Sequence, residues 1–126
     1  MKENDEPEGE QGTIFIRKLV FTDEFEEFFT TLDDKAKIKH AQVFDILQTI
    51  YVLNTNFVKK LTNTEVYEMR VSVGFNEYRT ILFAADHPNI IQAKHVVLLN
   101  GFLKKSTKDY DKQINKAIKI LDNLEL

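Results

Sequence analysis

Residues 64–85 read TEVYEMRVSVGFNEYRTILFAA, and this stretch decides the fold. Up to Val73 the side chains alternate. Tyr67, Met69, Val71 and Val73 fall on one side, and Glu68, Arg70 and Ser72 on the other. A period of two predicts a strand with one face in the core. Residues 74–76 form a turn. Residues 77–85 are apolar on both faces after Arg79, the mark of a central strand. Pro88 ends it. Residues 90–102 predict a third, longer strand, with 96–99 apolar on both faces. From Ser106 a helix begins, whose buried stripe is Ile114, Ala117, Ile118 and Leu121.

Toward the N-terminus, residues 13–21 (TIFIRKLVF) predict another strand. Thr22 is a good N-cap, and Asp23 and Glu24 complement the positive end of a helix dipole. Phe25, Phe28, Phe29 and Leu32 then recur at helical spacing. Asp33 and Asp34 cap a second helix over 35–53, with Ile38, Ala41, Phe44, Leu47, Ile50 and Tyr51 predicted as its apolar stripe. Residues 57–61 read as an irregular link holding Lys59 and Lys60. The order is β-α-α-β-β-β-α. It predicts an α+β fold in which a mainly antiparallel sheet is packed by a helical hairpin and a C-terminal helix, with the helices on one face.

The length of 126 residues suits one domain, expected over 13–126. Residues 1–12 hold five acidic side chains against Lys2, with Pro7, Gly9 and Gly12, and predict a disordered acidic tail. The formal net charge of −3 therefore hides a body that is close to neutral. Positive charge gathers between Lys94 and Lys119, where seven lysines face Asp109 and Asp111. Lys112, Lys116 and Lys119 read as a solvated helix face. No cysteine is present, which rules out disulfides, thiolate metal sites and cysteine nucleophiles. No apolar run reaches the ~20 residues that span a bilayer. The expectation is a soluble cytoplasmic protein.

Gly-rich phosphate loops, spaced His/Glu metal sets and nucleophile elbows are all missing. His40 and His87 read as surface residues, and His95, beside Lys94, as a structural hydrogen-bond partner. The cations carry more information. In an antiparallel meander Arg70, Arg79 and Lys104/Lys105 share one surface, with Glu68 in reach of Arg70. The alternative is ordinary surface ion pairing, at most ~1 kcal/mol each.

The ordered segments VYEMR (66–70), YRTILF (78–83) and VLLNGFLKKS (97–106), followed by Gln113, Ile114 and Ala117, resemble the RelE/HigB-type toxin superfamily, in its phage-derived HigB-like branch. The usual Thr-Pro before the last helix is replaced here by Asp109-Tyr110 in that region. The resemblance implies a type II toxin: an endoribonuclease that cuts mRNA on the ribosome without metal or cofactor, held by a helix-turn-helix antitoxin, with no membrane role. It implies Arg70, Arg79, Lys104 and Lys105 as catalytic cations. RNA contacts would come from Lys59, Lys60, Lys94, His95, Phe102 and Tyr110. Phe102 has two open roles, sealing the core edge or stacking on a base, and Tyr110 likewise. The runners-up are a ParE-like gyrase inhibitor without nuclease activity, and a degenerate protein that only binds its antitoxin.

Overall fold

A computed structural model describes residues 2–3 and 14–124. Nine elements follow in order: β1 (Lys2–Glu3), β2 (Lys18–Phe21), α1 (Asp23–Thr30), α2 (Asp34–Thr49), β3 (Val58–Lys60), β4 (Tyr67–Val73), β5 (Asn76–Ala84), β6 (His95–Leu103) and α3 (Thr107–Asp122). The strands form one sheet in the order β1-β2-β6-β5-β4-β3. The α+β class and the main element order are as the sequence predicts. Lys2 and Glu3 pair with Phe21 and Val20. The rest of the predicted acidic tail lies outside the described residues.

Three strand boundaries differ from expectation. The link at 57–61 contains β3, a three-residue edge strand antiparallel to β4. The first long strand shrinks to β2, which pairs parallel with β6 in a sheet otherwise antiparallel. The last strand starts at His95 because the Asp86 carboxylate accepts the backbone N–H groups of Lys94 and His95 and holds the preceding residues in a turn.

The helices lie on opposite faces of the sheet, not on one. The hairpin residues Phe25, Val43 and Leu47 pack with Leu19, Met69, Leu82 and Leu98. Ala117 and Ile120 of α3 pack with Ile81, Val97, Leu99 and Phe102 on the other side. The reason lies in β5 and β6, which are apolar on both faces and need a cover on each. All three helices start on side-chain caps: Thr22 Oγ1 accepts from Phe25 N, Asp33 Oδ1 from Ala36 N and Ser106 Oγ from Asp109 N.

The buried residues of α2 are Ala36, His40, Val43, Leu47 and Gln48, with Phe44 packed beside them, so the stripe shares Leu47 and Phe44 with the predicted one but is rotated from the rest. Ile38 is 61% exposed, and Ile50 and Tyr51 are about half exposed. His40, expected at the surface, is fully buried. Its Nδ1 stands 2.8 Å from the Ala36 carbonyl. Its ring makes edge contacts with Phe28, Phe29, Phe44 and Tyr78. The imidazole packs here as one more aromatic ring, a role that polarity scales do not credit.

Two further residues fix how the layers meet. Arg17, 1% exposed, precedes β2. Its Nε donates to Ile90 O, its Nη1 to Leu47 O and Ile50 O, and its Nη2 to Tyr51 O and Ile91 O. One guanidinium thus joins the end of α2 to the turn before β6. Gly101 permits a close approach of β6 to α1, since a Cβ there would lie 2.3 Å from the Phe28 ring. The irregularity in β6 is a register shift opposite Ile81/Leu82.

Candidate functional site

The β4–β5 register sets Arg70 directly opposite Arg79, and the β5–β6 register sets Arg79 opposite Phe102. The three side chains form a row across the sheet on the α3 face. Like charges directly opposed repel, and Glu68 offsets them. Its carboxylate is 3.1 Å from Arg70 Nε and 3.6 Å from Arg79 Nε. It also accepts a short hydrogen bond from the Tyr110 hydroxyl. Glu77, two residues before Arg79 and so on the same face, stands 3.4 Å from Arg79 Nη1.

The first turn of α3 closes the cluster from above. The Tyr110 ring meets Phe102 edge-on at 5.9 Å. Lys104 Nζ lies 5.5 Å from the centre of the Tyr110 ring, within cation–π range. Arg79 and Glu68 are buried, while Arg70 is about one-third exposed. Burial first, and the Glu68 carboxylate second, push the Tyr110 phenol above its ordinary value, against the pull of Arg79 and Arg70. Tyr110 is therefore neutral at physiological pH. The Ser72 side chain, with Arg79 and Lys104, holds Glu77 below the usual carboxylate range against its partial burial. The centre is a compact set of cations with one buried carboxylate, open to solvent through Arg70 and Lys104.

The structure brings together only part of the predicted set. Arg70, Arg79, Lys104, Phe102 and Tyr110 meet. Lys105 is exposed next to Lys104. Lys59 pairs in register with Glu68 and shares its face, whereas Lys60 pairs with Tyr67 and points to the other. Lys94 and His95 do not join the cluster. They sit at the start of β6, about 30 Å from Lys104 at ~3.3 Å per residue. There His95 Nδ1 is 3.9 Å from Asp86 Oδ1, too far for the side-chain hydrogen bond expected of it, and it is the His95 backbone N–H that bonds Asp86. Phe102 is buried and seals the core edge beneath Tyr110. Sequence reading missed Glu77, although its i, i+2 spacing to Arg79 in a strand was the available signal.

A family model described as Phage derived protein Gp49-like (DUF891) matches residues 27–122. The chain belongs to this phage-derived Gp49-like family. The Gp49-like span runs from α1 to the end of α3 and contains the whole arginine cluster. No curated protein matches the chain, and no solved structure matches it. Among the described residues no helix is long and apolar enough to cross a membrane.

Proposed function

We propose that this Gp49-like protein is the toxin of a type II toxin–antitoxin pair and acts as a metal-free endoribonuclease on ribosome-bound mRNA, in the manner of the RelE/HigB-type toxins it resembles. A helix-turn-helix antitoxin would be its partner. The observation that carries the reading is the cross-strand pair Arg70–Arg79. Two guanidiniums flank Glu68 there with Lys104 at the rim, and Glu68 and Glu77 together offset two of these three positive charges.

In the proposed reaction the RNA's own 2′-oxygen attacks the adjacent phosphorus. The new 2′-O–P bond forms as the P–O5′ bond breaks. The 2′-hydroxyl proton leaves to a base, and the 5′-oxygen gains a proton. The products are a 2′,3′-cyclic phosphate and a 5′-hydroxyl. Charge grows on the non-bridging oxygens, and fixed cations lower that barrier most. The planar fork of Arg suits those oxygens, and Arg70 presents one from a half-open position. Arg79 lies beneath and reinforces the field. Lys104 and Lys105 supply further charge at the rim, where an ammonium can also hand a proton to the leaving oxygen.

A second reading, a toxin that binds its target without cutting, draws on the burial of Arg79 and its engagement by Glu68 and Glu77. Induced expression separates the two. Ribosome-dependent mRNA cleavage is expected, and growth arrest with intact transcripts would favour the binding-only toxin. Arg70→Ala is the first variant to test, because its half-open side chain can be removed with little effect on the core. It should lower cleavage about 10²–10³-fold with Tm nearly unchanged, and an unchanged rate removes Arg70 from the chemistry. Arg79→Lys, which keeps a cation against Glu68, should also cut poorly.

A further inference from the structure

The β4–β5 hairpin turns through two residues, Gly74 at φ +60° and Phe75. A positive φ at the first position and an ordinary one at the second describe a tight turn that matches the twist of the strands, so the tip is rigid. Phe75 is fully exposed, the most exposed large apolar side chain among the described residues. Its position relates it to the arginine cluster. The Lys104 N–H donates to Glu77 O, which places Lys104 level with a residue only two from the tip. Arg79 follows four residues after Phe75, about 13 Å along the strand. On the flank of the tip, Lys35 and Lys39 of α2 line a shallow cleft with Ile38, Ser72, Val73 and Gly74. Of the carboxylates near this path, Glu77 is engaged by Arg79, Asp33 caps α2, and Asp34 stands exposed beside Lys35.

We infer that Phe75 is a stacking platform for an unpaired nucleobase, and that Lys35 and Lys39 carry the adjoining backbone phosphate, so that single-stranded RNA runs from the Arg70/Lys104 centre around the hairpin tip. This rests on the proposed RNA-directed function and adds a subsite to it. An exposed ring held on a stiff turn between cations is the arrangement by which proteins hold single strands without reading sequence, each stacked base contributing ~1–3 kcal/mol. A protein partner would seat such a ring in an apolar pocket, and the lysines on this flank would then gain nothing.

The chain holds no tryptophan, so Phe75→Trp installs a single fluorescent reporter. Titration with a six-nucleotide RNA should quench it, while an abasic oligomer of the same length should bind without quenching. Phe75→Ala should weaken RNA binding by about 5–150-fold, the span of ~1–3 kcal/mol, and Lys35→Gln/Lys39→Gln should reduce the salt dependence of binding. RNA that binds, by anisotropy, without quenching overturns the platform. Loss of antitoxin binding in Phe75→Ala with RNA affinity intact overturns it in favour of a protein contact. Quenching that persists where no cleavage is found keeps the subsite and refutes the nuclease. Absence of any RNA binding refutes both.

Discussion

Replacing Arg17 by methionine keeps an unbranched apolar stem, ends it short of the guanidinium, and removes five hydrogen bonds to carbonyls in two distant segments. Two of those bonds, to Leu47 O and Ile90 O, are fully buried. Each carbonyl left unsatisfied there costs ~1–3 kcal/mol, and charge-assisted bonds lie at the upper end. The three part-buried carbonyls recover water and contribute less. Burying methionine in place of a guanidinium returns part of the loss. The net expectation is about 4 kcal/mol, a large share of the ~5–15 kcal/mol of a typical domain. With a urea m-value of ~2 kcal/mol/M, the unfolding midpoint should fall by about 2 M. Arg17→Lys offers three donors from a single point instead of five from a planar fork, and should fall between the two. Urea titration followed by far-UV circular dichroism measures all three proteins. A midpoint shift under about 0.5 M for Arg17→Met would refute the assignment of Arg17 as the joint between α2 and the β6 turn.

Burial lowers the His40 pKa from its ordinary 6.5, with the Ala36 carbonyl opposing the shift. The folded protein therefore keeps His40 neutral, and the unfolded chain takes up the proton first. Its share of stability is complete above pH ~6.5 and is lost as pH falls through that value toward the folded one. His40→Phe should flatten the decline of Tm between pH 7 and 5, and an unchanged decline would assign it to other groups. Gly101→Ala pushes a methyl into the Phe28 ring and should cost about 1–3 kcal/mol. The double variant with Phe28→Ala should show no additional loss from the alanine at 101, and a simple sum in the double-mutant cycle would refute the contact.

Much of this molecule was legible where periodicity is strong. The alternation of 64–73 foretold both β4 and the shared face of Glu68 and Arg70. The Thr22 and Asp33 caps opened their helices as read, and the last helix began at Ser106, whose side chain proved to be its cap. The α2 stripe held at Phe44 and Leu47 but not elsewhere, because hydropathy placed Ile38, Ile50 and Tyr51 inside and His40 outside. An imidazole enclosed by four aromatic rings is a tertiary arrangement with no local signature. β3 was missed because two of its three residues are lysines on an edge, the usual way an edge is kept from pairing. The apolar residues on both faces of 96–99 already called for cover on two sides. The reading placed the helices on one side because it had no second layer to assign. In the site, the arginine row followed from register, while the Tyr110–Glu68 contact joins residues 42 apart and was not readable.

The parallel pairing of β2 with β6 has a consequence for how the protein comes into being. Thr22 bonds to Leu99 across 77 residues of chain. At ~5–20 residues per second of synthesis, the early strand waits about 4–15 s for its neighbour. During that interval the phenylalanines of α1 have no sheet to cover. Lys104 and Tyr110 follow β6 in the chain, so the cation cluster is complete only once residues up to 110 have been made. Until then the nascent chain presents no assembled centre, and whatever meets it earlier meets the helical hairpin and the β4–β5 hairpin without their completed cation row.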